Sequence, residues 1–254
     1  MGLTRISTGI TGLDPLLEGG FIKGRSYLIA GDSGTGKTVA CLQFLIHGLT
    51  AGEKAVYVTV DERPAEILAS AASFAWDLQT HIQAKSLVIL DAASASATEK
   101  GIDAQKMVAD LSTYAKTSGA TLLIIDPITP LLWPGNPATP RHLHARSLIH
   151  LIQSQLSTTN LFTTHEPGAG VQDAAAGIEQ FLASGVFVLK TSEAGGRCER
   201  LMRIKKMRHT AAEPADYPFV MIRNEGIMLT DRPCGSDLPR PAESPLFQTF
   251  EPSN

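Results

Sequence analysis

The stretch SYLIAGDSGTGKTVACLQFLIHGL, residues 26–49, constrains this chain more than any other. Gly31 to Thr38 satisfies G-x-x-x-x-G-K-[ST] at every fixed position, behind an apolar run and ahead of apolar residues at helical spacing. That order predicts strand, loop and helix, the setting in which such a loop cradles phosphates. Gly34 and Gly36 lack Cβ atoms, so the backbone can curl and aim successive N–H groups at phosphate oxygens. The helix starting near Lys37 adds its positive end. A nucleoside triphosphate is therefore expected against Ser33, Gly34, Thr35, Gly36, Lys37, Thr38 and Val39. Lys37 is placed to bridge the β- and γ-phosphates, and the Thr38 hydroxyl to complete a Mg²⁺ shell.

Such a loop also needs a carboxylate on a neighbouring strand to orient the metal through water. TLLIIDP (121–127) supplies one in Asp126, at the carboxyl end of an apolar run. In a parallel sheet that edge opens onto the ligand crevice. The alternative is that Asp126 caps the turn before Pro127.

Four apolar runs, SYLIA (26–30), AVYVTV (55–60), SLVIL (86–90) and TLLII (121–125), alternate with helical patterns; LIHLIQSQL (148–156) then reads as helix and NLFTT (160–164) as strand. This rhythm predicts an α/β fold with a mostly parallel, twisted sheet flanked by helices. After about residue 186 the short runs VFVLK, RLMRIKKM, YPFVMI and GIMLT follow one another through turns, which predicts an antiparallel extension. One domain over residues 1–230 is expected, followed by a loosely ordered Pro- and Ser-rich tail over 231–254.

Charge is nearly balanced, 22 basic against 25 acidic residues, which argues against a basic footprint for nucleic acid. No apolar stretch is long enough to span a bilayer. The N-terminus carries no export pattern, and Cys41, Cys198 and Cys234 form no metal or disulfide framework, so a cytoplasmic protein is expected. His142, His144 and His150 lack the i,i+4 spacing of a metal site.

TGITGLDPLLEGGFIKGRSYLIAGDSGTGKT (8–38) resembles the opening of the KaiC branch of the RecA-like P-loop ATPases, through Thr8, Gly9, Ile10, Gly12, Asp14, Leu16, Leu17, Gly19, Gly20 and Gly24. YVTVDERPAEILASAASFAWDL (57–78) is similar to the family's next segment, and IKKMRHT (204–210) and YPFVMIRNEGI (217–227) to its closing strands. The resemblance covers roughly residues 5–230, in the family's order, and implies a RecA-like core that hydrolyses ATP with Mg²⁺.

It also implies roles. Two glutamates stand in KaiC-like proteins where this chain has Asp61 and Glu62, and the first is taken to polarise the attacking water. Aspartate is shorter by about 1.5 Å, and misplacement on that scale can cost about a hundredfold in rate. Backbone or water compensates, or Glu62 takes over, or turnover is slow. Without the resemblance the pair is an ordinary solvated strand end.

Lys206 and Arg208 match residues that reach the γ-phosphate bound by the neighbouring subunit, as an arginine finger does, the alternative being a solvated basic strand end. Strict alternation along a strand would put both on one face with Met202 and Ile204. Met207 and Thr210 match further nucleotide contacts, and Ala212 replaces a histidine usual there. Ser73 matches an adenine contact. Thr164, between Thr163 and His165, stands where RecA-like folds sense the γ-phosphate, or it satisfies a strand-end amide.

The expected whole is a homo-oligomeric ring, a hexamer in the family, with a regulatory or signalling role through protein partners. The alternatives are a DNA-acting motor of the same fold and an ATP-dependent scaffold with little turnover. A motor should carry basic pore loops, whereas 129–141 and 165–177 hold one Arg, one Glu and one Asp.

Overall fold

The computed structural model describes residues 2–92, 103–132, 141–165, 183–194 and 197–230. The expected tail, the side chains of His142 and Cys198, and most of the two loops weighed for DNA contacts lie outside them.

The apolar runs form β3 (Ser26–Gly31), β4 (Ala55–Thr59), β5 (Leu87–Asp91), β6 (Leu122–Asp126) and β7 (Thr159–Thr164). Helices α1 (Leu13–Leu16), α2 (Lys37–Thr50), α3 (Pro64–Ser73), α4 (Leu78–Gln83), α5 (Ala104–Ser118) and α6 (Arg141–Gln155) lie between or before them. The closing segments form β8 (Gly185–Ala194), β9 (Arg197–Met207), β10 (Asp216–Ile222) and β11 (Gly226–Leu229). A small separate pair, β1 (Arg5–Ile6) and β2 (Phe21–Ile22), closes the N-terminal segment. The nine-stranded sheet runs β11-β10-β9-β8-β3-β7-β6-β4-β5. Pairs from β8 to β5 are parallel and those from β8 out to β11 antiparallel, as expected.

The central strands β3, β4 and β6 are buried along their whole length because both faces of the sheet are covered, whereas β7 also carries buried Thr159, Asn160, Thr163 and Thr164. On one face Tyr27, Ile29, Tyr57, Ile124 and Leu161 pack with Ala40, Phe44 and Leu45 of α2. On the other, Leu28, Val56, Val58, Leu123 and Ile125 pack with Val108 and Leu111 of α5 and Leu148 and Ile152 of α6. Phe21 stacks on Tyr27 with ring centroids 3.9 Å apart. No described helix is long and apolar enough to cross a membrane.

The N-terminal turn is held by polar contacts. Asp14 Oδ1 accepts from Thr8 N at 2.9 Å and from Thr8 Oγ1 at 2.6 Å, while Ser7 Oγ donates to Asp14 Oδ2. Gln43, buried on α2, donates through Nε2 to Gly9 O (2.8 Å), Glu225 O (2.9 Å) and Ile227 O (3.0 Å), and its Oε1 accepts from Ile227 N at 2.7 Å. A buried amide is tolerated when its donors and acceptor are all used. It ties α2 to the N-terminal turn and to β11.

Strict alternation fails at the end of β9. Val186 faces Lys206 and Phe187 faces Ile204, so Lys205 is an extra residue in a β-bulge. Directly opposed residues share a face, and a bulge reverses the parity beyond it. Val186 and Phe187 belong to opposite core clusters. Lys206 therefore lies on the face opposite Ile204 and Met202, and the expectation of one shared face is corrected. Arg208 follows the strand's last residue, with its N–H donated to Ser184 O at 2.7 Å.

Candidate functional site

The carboxyl ends of β3, β4 and β6 converge at one edge of the sheet, and register aligns Thr59 with Asp126. The loops beyond enclose a cleft of about 490 Å³ lined by Ser33, Gly34, Gly36, Lys37, Thr38, Val39, Asp61, Glu62, Ile67, Asp126, Pro127, His165 and Met221. The phosphate-loop residues, the acidic pair and the β6 carboxylate, far apart in the chain, thus share one wall system.

Gly36 has φ +105°, a conformation that favours glycine, and a Cβ there would lie 2.1 Å from Met221 Cε, so the methionine's tip packs directly on the loop. Lys37 Nζ donates to Gly31 O and Asp32 O, each at 2.8 Å. Burial lowers its pKa from the usual lysine value, opposed by the charges of Asp126 and Asp32. Thr35 is buried and donates to Asp32 O at 2.9 Å; it frames the loop and does not line the cleft.

Asp126 is 7% exposed. Its Oδ2 accepts from Tyr57 Oη at 2.7 Å and its Oδ1 from Thr163 Oγ1. Burial first, then the Asp126 charge, pushes the Tyr57 phenol well above its ordinary value, so it remains a donor. A carboxylate oxygen carries two lone pairs, so each Asp126 oxygen keeps acceptor capacity beyond the one bond it accepts. Oxygen donors from Thr38 and Asp126 suit Mg²⁺, which takes one or two protein ligands and fills its shell with water and phosphate. Among the described residues no group of three His, Cys, Asp or Glu side chains could hold a metal, and such a site needs none.

Asp61 and Glu62 follow the end of β4. Thr59 Oγ1 donates to Glu62 O at 2.6 Å, fixing the turn, and Glu66 Oε2 accepts from Arg63 N at 2.8 Å as α3 begins. The Glu62 carboxyl is raised above its ordinary pKa by burial, then by the charges of Asp126, Glu66 and Asp61.

Other expected residues stand elsewhere. Ser73 is exposed, donates to Ser70 O at 2.7 Å and does not line the cleft. Thr164 is buried beside Thr129, hydroxyls 3.1 Å apart; its neighbour His165 reaches the cleft instead. Lys206, Met207, Arg208 and Thr210 are at the opposite edge of the sheet. Met207 pairs with Gly185, and Gly185 with Tyr27 near the start of β3, whereas the phosphate loop follows Gly31. Four strand steps of about 3.3 Å separate these levels by roughly 13 Å. Burial, then the Arg208 charge, lowers the Lys206 pKa.

Residues 6–233 match the family described as "ATPase: KaiC". A circadian clock oscillator protein KaiC of a Picosynechococcus species is 32% identical over 234 residues, spanning 89% of this chain and 44% of that protein. Its counterpart in Prochlorococcus marinus is 31% identical over 235 residues, 90% of this chain and 45% of that protein. The chain thus spans less than half the length of these curated relatives. The crystal structure of a KaiC-like protein from the hyperthermophilic archaeon Pyrococcus horikoshii matches with a TM-score of 0.76 and 29% identity, covering 91% of this chain and 100% of that one.

Proposed function

This chain belongs to the KaiC family of ATPases, and from that premise we propose that it hydrolyses MgATP at the junctions between identical subunits of a ring. The observation that carries the reading is the separation of the basic turn from the phosphate loop. Lys206 and Arg208 lie at the edge of the sheet opposite their own Lys37. They serve a phosphate only if it belongs to a neighbouring copy.

In this reading Lys37 and the loop N–H groups hold the phosphates, while Asp61 or Glu62 orients the attacking water and accepts its proton. Bound Mg²⁺, held by Thr38 and through water by Asp126, would neutralise charge on the phosphate oxygens. Lys206 and Arg208 of the neighbour stabilise negative charge as it develops. Met207 and Thr210 extend the neighbour's contact, Ser73 the base contact, and Thr164 acts through His165. The test is phosphate release against protein concentration. A divided site gives specific activity that rises with concentration, whereas constant specific activity down to nanomolar protein contradicts it.

Two carboxylates compete for the water. If Asp61 orients it from too short a reach, Asp61→Glu raises turnover by up to about a hundredfold with nucleotide affinity nearly unchanged. If Glu62 does, Glu62→Gln stops hydrolysis and Asp61→Glu changes little. Unchanged phosphate release in both variants removes the pair from the mechanism.

The pH profile separates them again. A base works deprotonated, and the Glu62 pKa is raised. With Glu62 as base, kcat/KM, which reports the free enzyme, is full above that raised pKa and falls as pH drops through it, at a pH above the usual glutamate value of about 4.3. Glu62→Gln then abolishes both activity and limb. An acid limb that persists in an active Glu62→Gln enzyme assigns the role to Asp61.

The short reach of Asp61 favours a second reading, in which ATP chiefly holds the assembly together. Single-turnover hydrolysis slower than subunit exchange would support it. A regulatory role is carried from the relatives' description as circadian clock oscillator proteins, and a cytoplasmic setting and protein partners are proposed with it.

A further inference from the structure

We infer that Arg5 and Glu18 are positioning residues for the turn that presents Arg208 to the neighbouring subunit; this rests on the divided site proposed above. The turn after β9 is gripped at three consecutive residues by the N-terminal segment. Arg5 Nη1 and Nη2 both donate to Thr210 Oγ1 at 3.1 Å, and Nη2 donates to His209 O at 3.3 Å. Glu18 Oε1 accepts from Ala211 N at 3.0 Å. The two side chains are joined to each other, Arg5 Nη2 to Glu18 Oε2, at 3.0 Å, and Arg5 Nη1 also donates to Gly20 O at 3.0 Å.

The guanidinium is largely enclosed, its side chain 14% exposed, and its planar fork serves four acceptors that a lysine could not reach together. The grip has a conformational purpose. His209 adopts φ +59° and Glu18 φ +53°, left-handed values that non-glycine residues hold only when their surroundings over-determine them. Arg208 sits between this clamp and its own N–H bond to Ser184 O, with its side chain exposed. Its backbone is thus fixed from both sides before any partner arrives. A finger held in advance loses less freedom when it meets the phosphate.

The test is complementation in mixed oligomers, read as phosphate release. Arg5→Ala is expected to lower turnover about tenfold to a hundredfold, with unchanged ATP affinity in the monomer. As a poor donor of the finger with a sound phosphate loop, it should be rescued by Lys37→Ala subunits and not by Arg208→Ala subunits. A merely structural defect would impair both roles, and rescue by neither or by both overturns the inference. Glu18→Ala, at a half-exposed side chain, is expected to show the same asymmetry more weakly and covers the case in which Arg5→Ala does not fold. Wild-type turnover in both variants also overturns the inference. If the parent protein itself stays monomeric with MgATP, the divided site fails and this inference with it; asymmetry absent in an assembling parent refutes the clamp alone.

Discussion

Lys37→Ala is expected to abolish measurable ATP binding while leaving the chain folded. In the structure the Lys37 ammonium touches only two backbone carbonyls of its own loop among the described contacts, Gly31 O and Asp32 O. The side chain is half-buried on the cleft wall and both bonds are local to the loop, so its loss should move the melting temperature little. Its ammonium is instead poised beside the phosphate loop, opposite Asp126 and the acidic pair. Charge-assisted contacts to two phosphates, at about 1.5–3 kcal/mol each, correspond to roughly two to four powers of ten in affinity. Titration calorimetry on the folded variant checks this. An affinity equal to the parent's would remove the phosphate-loop assignment.

Arg208→Ala should cost turnover about a thousandfold or more, the scale of an arginine that meets charge developing on a transferred phosphoryl group. Monomeric ATP affinity should survive, because Arg208 lies at the far edge of the sheet from its own phosphate loop. Mixed with Lys37→Ala subunits, equally inactive alone, it should regain part of the activity. Some junctions then pair a sound loop with a sound finger. No recovery in confirmed mixed oligomers would place the whole site within one chain.

How much of this is legible in the sequence follows from how local each determinant is. The phosphate loop is legible because its glycines, lysine and threonine act within eight residues. The parallel core is legible because buried strands read as short apolar runs, and observed ends differ from expected ones by about a residue (β5 spans Leu87–Asp91). The β9 bulge is not legible: no glycine or proline marks Lys205, and the extra residue is defined only by pairing with β8. Tyr57 reads as one more apolar strand residue. Its bond to Asp126 exists because β4 and β6, distant in sequence, are neighbours in register. Met221 reaches the cleft by crossing from the antiparallel extension onto Gly36, a contact between segments 185 residues apart that no local pattern announces. The same holds for the reach from Arg5 to Thr210. Resemblance places Thr8 and Asp14 in the family pattern, and the structure supplies their reason as a turn lock.

If ATP is clamped between copies of this chain, sedimentation velocity with and without MgATP reads that clamp out as a change of assembly. A small species is expected without nucleotide and a closed oligomer, about six subunits by family expectation, at saturating MgATP. Arg208→Ala should weaken that assembly, and phosphate release should follow the oligomer's concentration. A profile that stays monomeric at saturating MgATP, with hydrolysis continuing at full specific activity, would contradict the clamp.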